Sequence, residues 1–264
     1  MTKKALCIGI NDYPGTDSDL SGCVNDATDW RQTLESRGFQ VRSLLDSQAT
    51  KVAMSEAIGD LITSARSGDT LVITYSGHGT WVPDSSGDET DGRDEALCPH
   101  DIRTAGALLD DDLHEILKQR QVGVRILLLS DSCHSGTVTR GDESDLDAAM
   151  PRARFLPLAA WLSPNLLPTR PSRPAILYTG FARAGGDLLL AGCKDTEYSW
   201  DTRFNGRPNG AFTYYARKTL NTLRADATYA DWFRAIGDYL PSTRLPQTPQ
   251  ILGAKEAREF KIFE

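Results

Sequence analysis

Two short stretches carry the residue types that can do chemistry. Residues 76–79 read SGHG and residues 130–136 read SDSCHSG, which sets His78 and Cys133 55 positions apart. A thiol becomes an effective nucleophile when a base or a positive charge lies beside it, and imidazole suits that task at neutral pH. Such partners meet in space rather than along the chain. Gly77 and Gly79 leave room for a peptide backbone beside the histidine, as Ser135 and Gly136 do past the cysteine. The plainer alternative is a buried structural pair, because cysteine is among the residues most often buried. Cys7 lies inside an apolar run and reads as core, while Cys98 and Cys193 have no histidine in a comparable setting. His134 adjoins Cys133, but consecutive side chains often diverge; His100 and His114 fall in a loop and a helix.

The elements around these residues say how they are positioned. Leu71–Tyr75 and Val124–Ser130 are apolar runs that read as buried strands, and each ends just before one of the two residues. Lys4–Ile10, Phe39–Leu45, Ala175–Thr179 and Leu188–Gly192 read as further strands. Between and after them, Asn25–Arg37, Lys51–Arg66, Asp110–Arg120, Gly210–Leu223 and Tyr229–Leu240 read as helices, several closed by a glycine. Strands alternating with helices predict an α/β fold with a mostly parallel central sheet and helices on both faces. Sites in such sheets form at the carboxyl ends of strands, where His78 and Cys133 fall.

Composition narrows the field. The chain has 264 residues, 40% of them hydrophobic, and a formal charge of −7. That charge argues against a nucleic-acid partner held through phosphates. No apolar run approaches the ~18–20 residues that cross a bilayer, and MTKKALCIGI reads as a first strand rather than a signal peptide. Five cysteines without a C-x-x-C pair suggest neither a disulfide framework nor a zinc site, so a reducing, cytoplasmic setting is expected. Gly9–Gly15 lacks the glycine patterns that cradle phosphates, which disfavours a nucleotide-binding reading.

SGHG followed by DSCHSG resembles the caspase-like cysteine peptidases, specifically metacaspases and bacterial orthocaspases. The likeness continues through LCIGINDYPGTDSDLSGCVNDATDW, GDETDGRDEALCPHD, LLDDDLHEIL, AGCKDTEYSWD and NGAFTYYA, in that order. The resemblance implies a three-layer sandwich forming one peptidase domain over 1–264: a large-subunit-like segment 1–139, a linker 140–174 and a small-subunit-like segment 175–264. It implies that Cys133 attacks the scissile carbonyl, that His78 is the acid–base, and that the N–H groups of Gly79 and Cys133 form the oxyanion hole. Asp26 and Asp131 match the carboxylates of the pocket for the residue before the cut, with Cys23 and Ser76 as smaller lining positions. Two carboxylates there attract a cation, so cleavage after Arg or Lys in proteins and peptides is expected, Arg favoured by its forked guanidinium. The alternatives for these two acids are an exposed first-turn carboxylate for Asp26 and a strand-end cap for Asp131.

Residues 84–112 hold eight aspartates and two glutamates. Asp94, Asp110 and Asp111 resemble three of the four aspartates that hold calcium in many metacaspases, but Arg140 stands where a fourth is expected, with Asp142 two residues on. Calcium is therefore a possible cofactor, not one the chemistry requires. Residues 140–174 contain six prolines and Arg140, Arg152, Arg154, Arg170 and Arg173. An enzyme that cuts after arginine is expected to be processed there, by itself or by another peptidase, around Arg152 or Arg154. The stretch Arg154–Leu162 is too apolar for a solvated linker; it either lies over the cleft or packs on the core, and packing is the reading favoured. A monomer is expected. The rival to a zymogen-like peptidase is a catalytically silent caspase-like interaction module.

Overall fold

Every residue of Thr70–Ser76 (TLVITYS) is buried, and a strand with no exposed face has to be covered on both sides. A computed structural model, which describes residues 1–83, 93–134, 151–167, 188–194 and 196–264, supplies those covers. The strands are Lys3–Gly9 (β1), Gln40–Leu45 (β2), Thr70–Ser76 (β3), Gly79–Pro83 (β4), Arg93–Leu97 (β5), Leu108–Leu109 (β6), Arg125–Asp131 (β7), Arg152–Ala153 (β8), Leu188–Ala191 (β9), Trp200–Phe204 (β10), Arg207–Gly210 (β11) and Gln250–Gly253 (β12). The helices are Cys23–Glu35 (α1), Lys51–Thr63 (α2), Ile102–Ala105 (α3), Asp110–Leu117 (α4), Leu158–Trp161 (α5), Ala211–Leu220 (α6), Tyr229–Gly237 (α7) and Lys255–Arg258 (α8).

Among the described residues, six strands form the central sheet in the order β12-β9-β7-β3-β1-β2, all parallel except β12. Alternation along the strands divides the core into two layers. Leu6, Ile8, Leu71, Ile73 and Tyr75 pack with Met54, Ile58 and Ile62 of α2. Ala5, Cys7 and Val72 face the other way, onto Ala27, Trp30 and Leu34 of α1, Phe212 of α6 and Trp232 of α7. Trp30 and Trp232 meet edge-on at 6.0 Å. The result is the α/β three-layer sandwich that the alternation of elements predicts.

Two small three-stranded sheets, β4-β5-β6 and β11-β10-β8, lie outside the central one. Their strands are short and carry mixed polar and glycine residues, so no period announces them. The expected strand Ala175–Thr179 lies outside the described residues. Residues 140–174, read as a loop, contain among their described residues β8 and α5, and they do more than connect. Leu156, Leu158 and Trp161 are buried in the α2-side core, while Arg154, expected on an exposed loop, is fully buried. Packing and cleft are not alternatives here; the same stretch does both.

Candidate active site

β3 and β7 are neighbours, with Ser76 in register with Asp131. His78 and Cys133 each lie two residues beyond that pair, so the parallel register carries the histidine and the cysteine to the same edge of the sheet. Both are buried. The backbone of His78 is held by two buried tyrosines: its N–H donates to Tyr13 Oη at 2.7 Å, and its carbonyl accepts from Tyr75 Oη at 2.6 Å. A side chain on Gly77 would collide with both phenol oxygens, which accounts for the glycine. The Tyr13 ring also packs on the imidazole at 4.7 Å.

The imidazole has a defined tautomer. Nε2 lies 2.6 Å from the Ser18 carbonyl, which can only accept, so Nε2 carries a proton. Nδ1 is buried with no hydrogen-bond partner among the described residues. Burial lowers the His78 pKa to about 4, and the Arg154 guanidinium pushes the same way. The ring is neutral at pH 7, with the Nδ1 lone pair free to take a proton. Cys133 Sγ accepts the Ser199 N–H at 2.6 Å and lies 3.4 Å from the Ser199 carbonyl. That N–H is a donor the sulfur keeps on becoming a thiolate. His134 points elsewhere, towards Ser132 Oγ at 3.1 Å and the Thr80 carbonyl at 3.4 Å, and burial lowers it also to about 4.

Arg154 occupies the space between these groups. Its carbonyl oxygen accepts the N–H of Gly79 at 3.0 Å and of Cys133 at 3.1 Å, the two donors expected to form an oxyanion hole. Its own N–H donates to the Ser199 carbonyl at 2.9 Å. On one side, Ala153 pairs with Trp200 and Arg152 with Asp201 in an antiparallel ladder. On the other, Phe155 bridges Gly79 and the Leu156 N–H donates to the Gly79 carbonyl at 2.9 Å. A chain extended through a cleft and bonded on both edges is how β-strand addition holds a peptide.

The guanidinium ends in an acidic pocket. One terminal nitrogen donates to the Asp131 carbonyl at 3.1 Å and lies 3.2 Å from its carboxylate; the other reaches Asp26 at 2.6 Å and Asp201 at 3.5 Å. All four side chains are at most 3% exposed. Each acid is fixed from behind. Asp26 accepts from Asn209 Nδ2 at 2.8 Å and the Gly210 N–H at 3.0 Å; Asp131 from the Thr213 N–H at 2.9 Å and Ser199 Oγ; Asp201 from the N–H groups of Ser21 and Gly22. Burial raises Asp26 to about 7 against the pull of Arg154. Its partners are all N–H donors, and the ionised carboxylate is the form that accepts them on both oxygens. Cys23 and Ser76 are buried nearby, and burial pushes the Cys23 thiol well up. Asp26 is thus neither exposed nor a mere first-turn charge, and Asp131 is more than a cap.

A model of the metacaspase peptidase C14 domain matches residues 3–141 of this chain. The chain belongs to the metacaspase family. Metacaspase-1 of Mycosarcoma maydis is 33% identical over 94% of this chain and 69% of its own length, and Metacaspase-1 of Schizosaccharomyces pombe is 31% identical over 94% and 66%. The chain therefore spans about two thirds of the length of these relatives. The crystal structure of protein GSU0716 from Geobacter sulfurreducens is 30% identical, covers 100% of this chain and 98% of its own, and superposes with a TM-score of 0.73. This metacaspase is a caspase-like, cysteine-type endopeptidase, a hydrolase of proteins and peptides.

Sequence reasoning missed several members of this metacaspase's site. Asp201, Ser199 and the Ser18 carbonyl come from segments with no chemical signature of their own, and Tyr13 and Tyr75 act through backbone bonds. YSWD, within the stretch that resembles the family's small subunit, is the signal that could have led to Ser199 and Asp201. The acids expected to hold calcium lie elsewhere. Asp94 is buried in β5, and Asp110 and Asp111 open α4. Among the described residues no three His, Cys, Asp or Glu side chains gather to hold a metal ion. Asp142 lies outside them. No helix among the described residues is long and apolar enough to cross a membrane.

Proposed function

We propose that this metacaspase cleaves after arginine and that its first substrate is its own Arg154–Phe155 bond. The observation that carries this reading is the seat of Arg154: guanidinium among three carboxylates, carbonyl on the two N–H donors beside Cys133. Cys133 attacks the carbonyl carbon, and His78 takes the thiol proton on Nδ1. The tetrahedral oxyanion keeps the hydrogen bonds of Gly79 and Cys133, each of a kind worth ~3 kcal/mol in the transition state. The carbon–nitrogen bond then breaks, His78 returns the proton to the departing amine, and water hydrolyses the thioester.

Specificity follows from the pocket. Without Arg154, three buried carboxylates are left uncompensated, so the site demands a cation and rejects an acidic residue. The guanidinium fork meets three acids at once, which a single ammonium does not, so Arg is favoured over Lys by roughly 10-fold or more. The uncut chain fills its own pocket and is latent; cutting at Arg154 is the activating step, within the linker expected to be processed. Calcium is proposed as a modulator acting away from the reacting atoms, tested by comparing the rate of the cut in calcium and in chelator.

The test is release of a fluorophore from peptides ending in Arg, Lys or Asp by the wild-type chain and by Cys133→Ala. The reading expects Arg, then Lys, to be cleaved and Cys133→Ala to be silent. Cleavage after Asp, or equal release by the mutant, would refute it.

A further inference from the structure

We infer that the acyl-enzyme of this metacaspase is attacked by the chain's own Phe155 amine as well as by water, making the cut protein a transpeptidase towards peptidyl-arginine donors. The inference rests on the proposed cut between Arg154 and Phe155. The two sides of that bond are held unequally. On the amino side the hold is the short ladder of Arg152 and Ala153 with Asp201 and Trp200, the Arg154 N–H on the Ser199 carbonyl, the Arg152 guanidinium on the Asp19 carbonyl at 2.8 Å and the Arg154 guanidinium in its pocket. Another peptidyl-arginine can remake these contacts, and none of Pro151, Arg152 and Ala153 is buried in the core. On the carboxyl side the Leu156 N–H donates to the Gly79 carbonyl at 2.9 Å, and Thr80 Oγ1 donates to the Leu156 carbonyl at 2.8 Å. Leu156, Leu158 and Trp161 are buried in the core, and the Phe155 ring lies 6.4 Å from that of Tyr198. None of these contacts depends on the Arg154–Phe155 bond. The leaving group of the first reaction therefore stays in the cleft after the bond breaks, and the arginine side can exchange for another chain.

The chemistry balances without a further reactant. In the cut, the Cys133 sulfur bonds to the Arg154 carbonyl carbon, the bond to the Phe155 nitrogen breaks, and that nitrogen takes the proton held by His78. In the transfer the steps reverse on a new acyl group. The Phe155 nitrogen bonds to the thioester carbon, the carbon–sulfur bond breaks, and the amine's proton passes through His78 to the sulfur. Water has to compete with a nucleophile already positioned, and positioned groups reach effective concentrations far above those of free amines. The amine reacts only unprotonated, and an α-amino group has a pKa of about 7.7–8.0. Transfer therefore gains on hydrolysis as pH rises through that range.

The experiment uses the full chain after it has cut itself, incubated with acetyl-Arg-Ala-Arg bearing a fluorogenic amide and quenched in acid. We expect fluorophore release together with a fraction of the segment beginning at Phe155 heavier by the acetyl-Arg-Ala-Arg acyl group, rising roughly 15–25-fold from pH 6.5 to 8.5 while it remains the minor product. Loosening the anchor with Leu158→Ala and Trp161→Ala should lower the ratio of heavier segment to fluorophore. Release with an unchanged segment mass at every pH overturns the acyl transfer and leaves the peptidase reading standing. A chain that makes no Phe155 end, or release no greater than that of Cys133→Ala, removes the peptidase reading and this inference with it.

Discussion

Arg154 is a buried cation that ties Asp26, Asp131 and Asp201 together, and removing one partner of such a cluster leaves charge uncompensated. Arg154→Ala, which leaves three buried carboxylates without their cation, should therefore cost the uncut chain about 3–5 kcal/mol, read from urea midpoints. Asp26→Asn, which breaks the 2.6 Å ion pair, should lower kcat/KM on arginyl amides by roughly 100-fold or more. The pH dependence has a definite sign. Asp26 titrates near 7 with Arg154 beside it. The guanidinium pulls this carboxyl down, so in the emptied pocket it lies higher still and arginine binding releases a proton. KM for an arginyl amide should therefore rise as pH falls from about 9 towards 7. A KM flat across that range would separate Asp26 from binding. At this scale the sequence was informative where chemistry needs an unusual residue type. His78 and Cys133 could be picked out because an imidazole and a thiol fall at strand ends among small residues, and Asp26 and Asp131 through the resemblance of their stretches to the metacaspases. Asp201 and Ser199 could not, because their work depends on which strand they face.

Among the elements, the backbone rather than the side chains does the positioning. Gly79 opens β4, donates to the Arg154 carbonyl and accepts from Leu156, and a side chain there would collide with the Cys133 carbonyl. Gly79→Ala should reduce self-cleavage by roughly 100-fold while the fold survives, compared by gel time courses and circular dichroism. An unchanged rate would show that this N–H takes no part. Gly210 sits at the junction of β11 and α6, where a methyl would press on Asp131 and on the guanidinium. The long strands and helices were legible from hydrophobic runs and glycine stops. The hairpins that build the cleft were not, because a two-residue strand such as β8 has no period; its pairing exists only once Trp200 is beside it.

Across the whole molecule, the proposed cut falls between parts of one sheet. β9 lies between β7 and β12, so strands from both sides of Arg154 share the same ladder. The two pieces should therefore co-elute from a native sizing column after the cut and part only in denaturant; separation without denaturant would contradict the shared sheet. Stability also carries a pH signature. His78 and His134 are held near 4, against about 6.5 in an unfolded chain, so between those values the unfolded chain binds protons that the fold refuses. Stability from this source is full above about pH 6.5 and falls on acidification, while Asp26, raised in the fold, works in the opposite sense. His134→Gln should remove about 2–3 kcal/mol of the loss between pH 7 and 4.5, with the Asp26 contribution common to both proteins. The alternation of elements made the sandwich readable, and the apolar character of Arg154–Leu162 hinted that the linker is no mere tether. That it threads the cleft was not readable, because threading depends on the distance between strand ends that are far apart in sequence. The central claim is that the chain holds its own arginine as a substrate. Intact mass of the purified wild-type chain and of Cys133→Ala, followed over time, tests it most directly. The account predicts two wild-type fragments divided between Arg154 and Phe155 and a mutant that stays whole. A wild-type chain that stays whole, or the same division in the mutant, would contradict it.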